Sequence, residues 1–272
     1  MKNFIQRTLT GVVFAVVVVA AILIHPLLFV GVFSIVVGSL INEFYTLTKY
    51  EGKIWQRSIG IVAGMYLFIA SFLFTANYAG HWIYYPYFLV ILLLLISGLY
   101  VKDGHPVAQW GLICFAQWYC AGFLSFLCLI SYIQSPVYNP FPVLMIFAFI
   151  WLNDIGAYLI GSWKGKRRLF PRISPLKSWE GFGGGLVVAM IASLVCSHFC
   201  SELVWYKWLA FSVLTVVSAT YGDLLESLIK RSYGVKDSGK ILPGHGGLLD
   251  RFDSVILTAP VMYIFFKLVI QS

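Results

Sequence analysis

Nine stretches of about 20 mostly apolar residues run through this chain, and no other feature restricts its fold so severely. They lie near residues 8–25, 28–46, 58–76, 83–101, 109–132, 142–162, 182–200, 205–229 and 251–270. Lipid offers no partner for a backbone amide, so a segment of this kind satisfies its own N–H and C=O groups as a helix. Composition agrees: of 272 residues, 60% are hydrophobic and 11% charged, whereas a soluble domain is about 25% charged. The expected fold is all-α, a polytopic integral membrane protein of about nine transmembrane helices with cytoplasmic catalytic loops. The first run is expected to be a retained span, because His25-Pro26 follows it where a signal-peptide cleavage site would carry small residues.

Basic residues favour cytoplasmic loops, which sets an orientation. With the N-terminus inside, Lys2, Arg7, Lys49, Lys53, Arg57 and Lys102 fall on that side. So do Lys164, Lys166, Arg167, Arg168, Arg172 and Lys177 after the sixth run, and Lys230, Arg231, Lys236, Lys240 and Arg251 after the eighth. Only Lys207 and Lys267 fall outside. Topology therefore accounts for the net charge of +8 without a nucleic-acid partner, and anionic lipid headgroups are the expected neighbours. Cys114, Cys120, Cys128, Cys196 and Cys200 sit in apolar runs with no C-x-x-C pair, and read as packing residues. His25, His81, His105 and His198 have no companions at metal-ligand spacing.

Acidic residues divide the chain unevenly. Glu43, Glu51 and Asp103 are the only three before residue 140, all near loops or span ends, so 1–140 reads as transmembrane scaffold and 141–272 as the catalytic membrane region. The second part holds Asp154, Glu180, Glu202, Asp223, Glu226, Asp237, Asp250 and Asp253, several of them within or at the rim of apolar runs. A carboxylate at membrane depth costs several kcal/mol unless paired, so such residues mark functional sites by default. Two longer loops, 163–181 and 230–250, both belong to the cytoplasmic side by the charge count.

On the eighth run, Asp223, Glu226, Ser227 and Lys230 stand at i, i+3, i+4 and i+7 and share one helical face. Glu226 and Lys230 are spaced for an internal salt bridge, which leaves Asp223 without a local partner. The ninth run opens Asp250-Arg251-Phe252-Asp253, whose carboxylates repel by about a few tenths of a kcal/mol. A cation would relieve that repulsion, and oxygen donors without His or Cys suit Mg²⁺; N-terminal capping by Asp250 is the plainer reading and is compatible with it. Just ahead, Pro243-Gly244-His245-Gly246-Gly247 forms a glycine turn into a helix start, where backbone amides suit phosphate. In the other loop, Lys166 and Lys177 lie among Gly and Ser residues, including Ser174, able to wrap a polyphosphate, although the order is not that of a Walker A loop. Asn153-Asp154 places an amide and a carboxylate inside an apolar run, and Asp154 is also placed to pair with Lys177.

The stretch from Ser227 to Asp253 resembles the signature of the phosphatidate cytidylyltransferase (CDP-diacylglycerol synthase) family, through Ser227, Lys230-Arg231, Lys236-Asp237, Pro243-x-His245-Gly246-Gly247 and Asp250-Arg251-x-Asp253. NDIGAY at 153–158 and ISPLKSWEG at 173–181 also look like that family, so the resemblance covers roughly 150–255. It implies transfer of CMP from CTP to phosphatidic acid, giving CDP-diacylglycerol and pyrophosphate, with Mg²⁺. It further implies that Asp223, Asp250 and Asp253 hold metal. Lys177, Lys236, Arg251 and the His245-Gly246-Gly247 turn would hold the triphosphate, with Lys166, Ser174 and Asp154 contributing to the nucleotide site. A second cation (K⁺), a homodimer and residence in a bacterial cytoplasmic membrane with the site facing the cytoplasm are expected on the same ground. Competing readings are a CTP-dependent lipid kinase, which needs the same groups, and an ion-coupled transporter using Asp154, Asp223 and Asp250.

Overall fold

In a computed structural model, residues 2–100, 105–200, 203–239, 241 and 246–271 are described. The helices are α1 (Lys2–Leu23), α2 (Pro26–Leu47), α3 (Ile54–Thr75), α4 (Tyr85–Ser97), α5 (Pro106–Ala116), α6 (Phe123–Ser131), α7 (Phe141–Lys164), α8 (Trp179–Phe199), α9 (Trp205–Ser232) and α10 (Leu249–Gln271). A π-helical turn, Gln117–Gly122, joins α5 to α6, so the two run on as one rod over Pro106–Ser131. Among the described residues, eight helical stretches are long and apolar enough to cross a membrane, and the described side chains of α1 add a shorter apolar stretch, Leu9–Leu23. The nearly all-helical polytopic architecture expected from the apolar runs is the one observed. Helix starts follow local chemistry: Pro26 and Pro106 occupy first-turn positions where a missing N–H costs nothing, and the His25 imidazole accepts the Leu27 amide.

The chain divides into two compact units, Met1–Pro140 with Tyr233–Arg251, and Phe141–Ser232 with Phe252–Ser272. In the first, α2 and α3 pack together, with α3 also against α4 and α6. Phe29, Phe33, Phe68 and Tyr138 form a cluster of rings there. In the second, α8 packs along both α7 and α9, and Phe149, Trp208, Phe211, Phe265 and Phe266 interlock. In lipid, helices associate through close packing and not by escaping water, so small residues at contacts matter. Gly156 of α7 shows this, since a Cβ there would meet the Gly184 carbonyl of α8 at 3.0 Å.

The loop expected over 163–181 is more ordered than its composition foretold. It contains an antiparallel hairpin, β1 (Arg168–Phe170) and β2 (Ser174–Ser178), paired Arg168 to Ser178 and Phe170 to Ser174 with an irregularity between. The Glu180 carboxylate accepts the Lys166 and Arg167 amides, the Arg167 carbonyl accepts the Trp179 amide, and Ser178 caps α8 by accepting the Gly181 amide. These contacts fix both ends of the hairpin at the start of α8.

Candidate active site

In the second unit, the polar stripe on α9 resolves into two pairs. Glu226, fully buried, bonds Lys230 at 2.5 Å within the helix, as the spacing predicted. Asp223 is not left alone: one oxygen meets Lys177 Nζ of β2 at 2.5 Å and the other accepts the Ser227 hydroxyl at 3.2 Å. Lys177 therefore pairs with Asp223. Both side chains of this pair are about a third exposed, 28% and 35%, so its worth to stability is about 0–1 kcal/mol. An ion pair this exposed contributes little to the fold.

Asp253 reaches the same locality from α10. Gly222, the residue before Asp223, makes this possible: a Cβ there would stand 2.6 Å from the Asp253 carbonyl, so only glycine lets α9 lie this close to α10. Asp253 accepts the Ser254 amide at 2.6 Å and interacts electrostatically with Asp223, Lys177 and Asp154. Asp154, exposed on α7, accepts from Asn153 Nδ2 at 3.4 Å. A cavity of about 470 Å³ is lined by Asp154, Lys177, Ser178 and Asp223, with Arg168 beside them and Tyr158, Leu169, Leu176 and Phe182 supplying an apolar part. Lys166 and Ser174 do not line it; Lys166 is engaged through its backbone amide by Glu180. Arg168 and Ser178 do; the charge pattern marks Arg168 only as a cytoplasmic basic residue, and no sequence signal singles out Ser178.

In the first unit, the segment leading into α10 is organised by two carboxylates. Asp250 accepts the Ser238 amide at 3.1 Å and the Gly247 amide at 2.8 Å, both from the segment ahead of α10, so these contacts reach back from the helix and are not the N-cap bonds expected of it. Gly246 has φ +83°, a left-handed conformation that favours glycine, and a Cβ on it would crowd an Asp250 oxygen at 2.6 Å. Lys236 and Arg251 are exposed. His245, with Lys240, Pro243 and Gly244, lies outside the described residues. Glu43 is the residue the sequence did not single out: buried near the end of α2, it accepts the Leu248 amide at 2.9 Å, the Leu249 amide at 2.8 Å and the Ser238 hydroxyl at 3.3 Å.

Residues 5–269 match the model of the cytidylyltransferase family. The chain belongs to that family. It is 33% identical over 268 residues, 97% of each chain, to the phosphatidate cytidylyltransferase of Bacillus subtilis. It is 42% identical over 144 residues, about half of each chain, to the Haemophilus influenzae protein of the same name. The corresponding Staphylococcus aureus protein is 47% identical over 132 residues, 48% of this chain and 49% of that one. Cytidylyltransferases of this family are nucleotidyl-transferring enzymes, and a cavity that carries Asp154, Lys177 and Asp223 on a largely apolar lining is chemistry of the right kind for one.

A divalent metal fits the residues present. Asp223 and Asp253 interact as like charges, with the Lys177 ammonium paired to Asp223, and every donor is a hard oxygen. Among the described residues, no group of three or more His, Cys, Asp and Glu side chains is gathered as a metal cage. Mg²⁺ commonly takes one or two protein carboxylates and completes its shell with water and substrate phosphates, so a sparse set suits it better than a cage.

Proposed function

We propose that this protein transfers the cytidylyl group of CTP to phosphatidic acid, yielding CDP-diacylglycerol and pyrophosphate, in a Mg²⁺-dependent reaction at the cytoplasmic face of a bacterial membrane. The observation that carries this reading is the Lys177–Asp223 pair facing the cavity, with Asp253 beside it and an apolar wall alongside. Family membership and the likeness to named phosphatidate cytidylyltransferases support it.

In the reaction, a phosphate oxygen of the lipid forms a bond to the α-phosphorus of CTP. The bond from that phosphorus to the α,β-bridging oxygen breaks, and pyrophosphate leaves. A phosphate monoester has a second pKa of about 6, so the nucleophile is already anionic near neutral pH and no strong general base is needed. The demand on the protein is alignment and neutralisation of charge. Lys177, held by Asp223, places a cation against the phosphates, and Arg168 offers a second. Tyr158, Leu169, Leu176 and Phe182 give the acyl region of the lipid an apolar path while the headgroup meets the polar wall. Asp223 and Asp253 would hold Mg²⁺, which supplies charge neutralisation on the triphosphate when bound. The ligand role assigned to Asp250 by its sequence remains part of the proposal, as do the nucleotide contacts of Lys236, His245, Gly246, Gly247 and Arg251, a K⁺ second cation and a homodimer.

Purified protein in vesicles containing phosphatidic acid, given CTP labelled at either the α- or the γ-phosphate, tests the reading. The expected result is α-label in lipid, release of pyrophosphate and loss of both on chelation of Mg²⁺. Appearance of the γ-label in lipid would make the protein a lipid kinase, and ion flux without CTP turnover would make it a transporter.

A further inference from the structure

The buried carboxylate of Glu43 is tied to the segment entering α10 by three donors, two of them backbone amides. Helix starts leave amides without intrahelical partners, and a Ser, Thr, Asp or Asn at the cap normally satisfies them. Here the residue before α10 is Leu248, which has no polar side chain, and the cap comes from another helix. Glycine is needed for the closeness: a Cβ on Gly239 or Gly247 would stand 2.6 Å from a Glu43 oxygen. Asp250 completes the arrangement by gripping Ser238 and Gly247 from within the segment. Two carboxylates thus fasten Ser238 and the residues from Gly247 to Leu249, beside the left-handed Gly246, with Lys236 and Arg251 exposed nearby in sequence.

We infer that Glu43 is a positioning residue for the nucleotide: it holds the Gly246-Gly247 turn and the first amides of α10 in the conformation that receives the triphosphate of CTP. This rests on the proposed function, in which that turn contacts the phosphates. Hydrogen bonds to a charged acceptor are among the strongest a protein makes, so losing them loosens the turn while the helices around it persist.

The test uses the full chain in lipid nanodiscs, comparing wild type with Glu43→Gln and Ser238→Ala. Hydrogen exchange over 246–250 is followed with and without Mg-CTP, and KM is measured for CTP and for phosphatidic acid. In Glu43→Gln, exchange at the Leu248 and Leu249 amides should quicken about tenfold, Mg-CTP should no longer protect them, and KM for CTP should rise about tenfold, with KM for phosphatidic acid within about twofold. Ser238→Ala keeps both amide contacts and should raise KM for CTP by about threefold. Unchanged exchange in Glu43→Gln, quicker exchange with unchanged KM for CTP, or an equal rise in both KM values would overturn the positioning role. If Glu43→Gln fails to insert, Ser238→Ala decides: an unchanged KM for CTP overturns the role. Protection by Mg-CTP is read without turnover, so a wild type that binds CTP but transfers no cytidylyl group sinks the proposed reaction and leaves the role of Glu43 standing.

Discussion

Asp223 has both oxygens engaged, one by Lys177 and one by Ser227, and this decides what its removal does. Asp223→Asn keeps an oxygen for Ser227 but gives up the charge, so turnover of CTP should fall at least about a hundredfold. Because the ion pair is partly exposed, the thermal midpoint and membrane insertion should change little. Near-normal turnover in that variant would remove Asp223 from the chemistry. The importance of Asp223 was legible from its helical spacing with Glu226, Ser227 and Lys230. Its partner was not, because Lys177 is 46 positions away by number and arrives on a hairpin. Glu43 was harder still: a single acid near the end of an apolar run looks the same whether it faces water at the rim or caps a distant helix.

Among the elements, the approach of α9 to α10 at Gly222 is the contact that aligns the acidic residues of the second unit. The obstacle to a side chain there is the Asp253 backbone carbonyl at 2.6 Å, which cannot rotate aside. Gly222→Ala should cost about 1–3 kcal/mol as overpacking and lower turnover as well. Gly31→Ala is the matched control: nothing stands within 4 Å, and alanine favours a helix, so stability should hold or rise slightly. Thermal unfolding of the two variants side by side, with activity, distinguishes a helix contact from a general intolerance of added methyl groups. The helices themselves were readable as apolar runs, but β1 and β2 were not. Strands of three and five residues, one of them containing Pro175, present no alternating pattern long enough to stand out from a basic loop.

For the molecule as a whole, the order of the membrane helices followed from apolar length, since a lone apolar segment in lipid has no other backbone solution; eight of the nine expected runs are long enough among the described residues, and the first is the shorter stretch Leu9–Leu23. Sidedness rests on the placement of Lys and Arg, and it makes a direct prediction. In a chain whose native cysteines are replaced, Cys at Lys164 or Lys236 should react with an impermeant thiol reagent only from the cytoplasmic side, and Cys at Val204 only from the other. The reverse labelling would invert the topology and move the site to the wrong compartment for CTP. What the chain order could not announce is that the first compact unit includes Tyr233–Arg251.

That shared construction carries a consequence for biogenesis. Glu43 is separated from Ser238 by 195 positions and from Leu249 by 206. At about 5–20 residues per second, a ribosome needs roughly 10–40 s to make the donors after the acceptor has emerged. Throughout that interval the nascent N-terminal helices must shelter an acidic side chain whose permanent neighbours do not yet exist. The newborn membrane protein is therefore finished from its far end, and a chain released early would leave the translocon with that charge still unanswered.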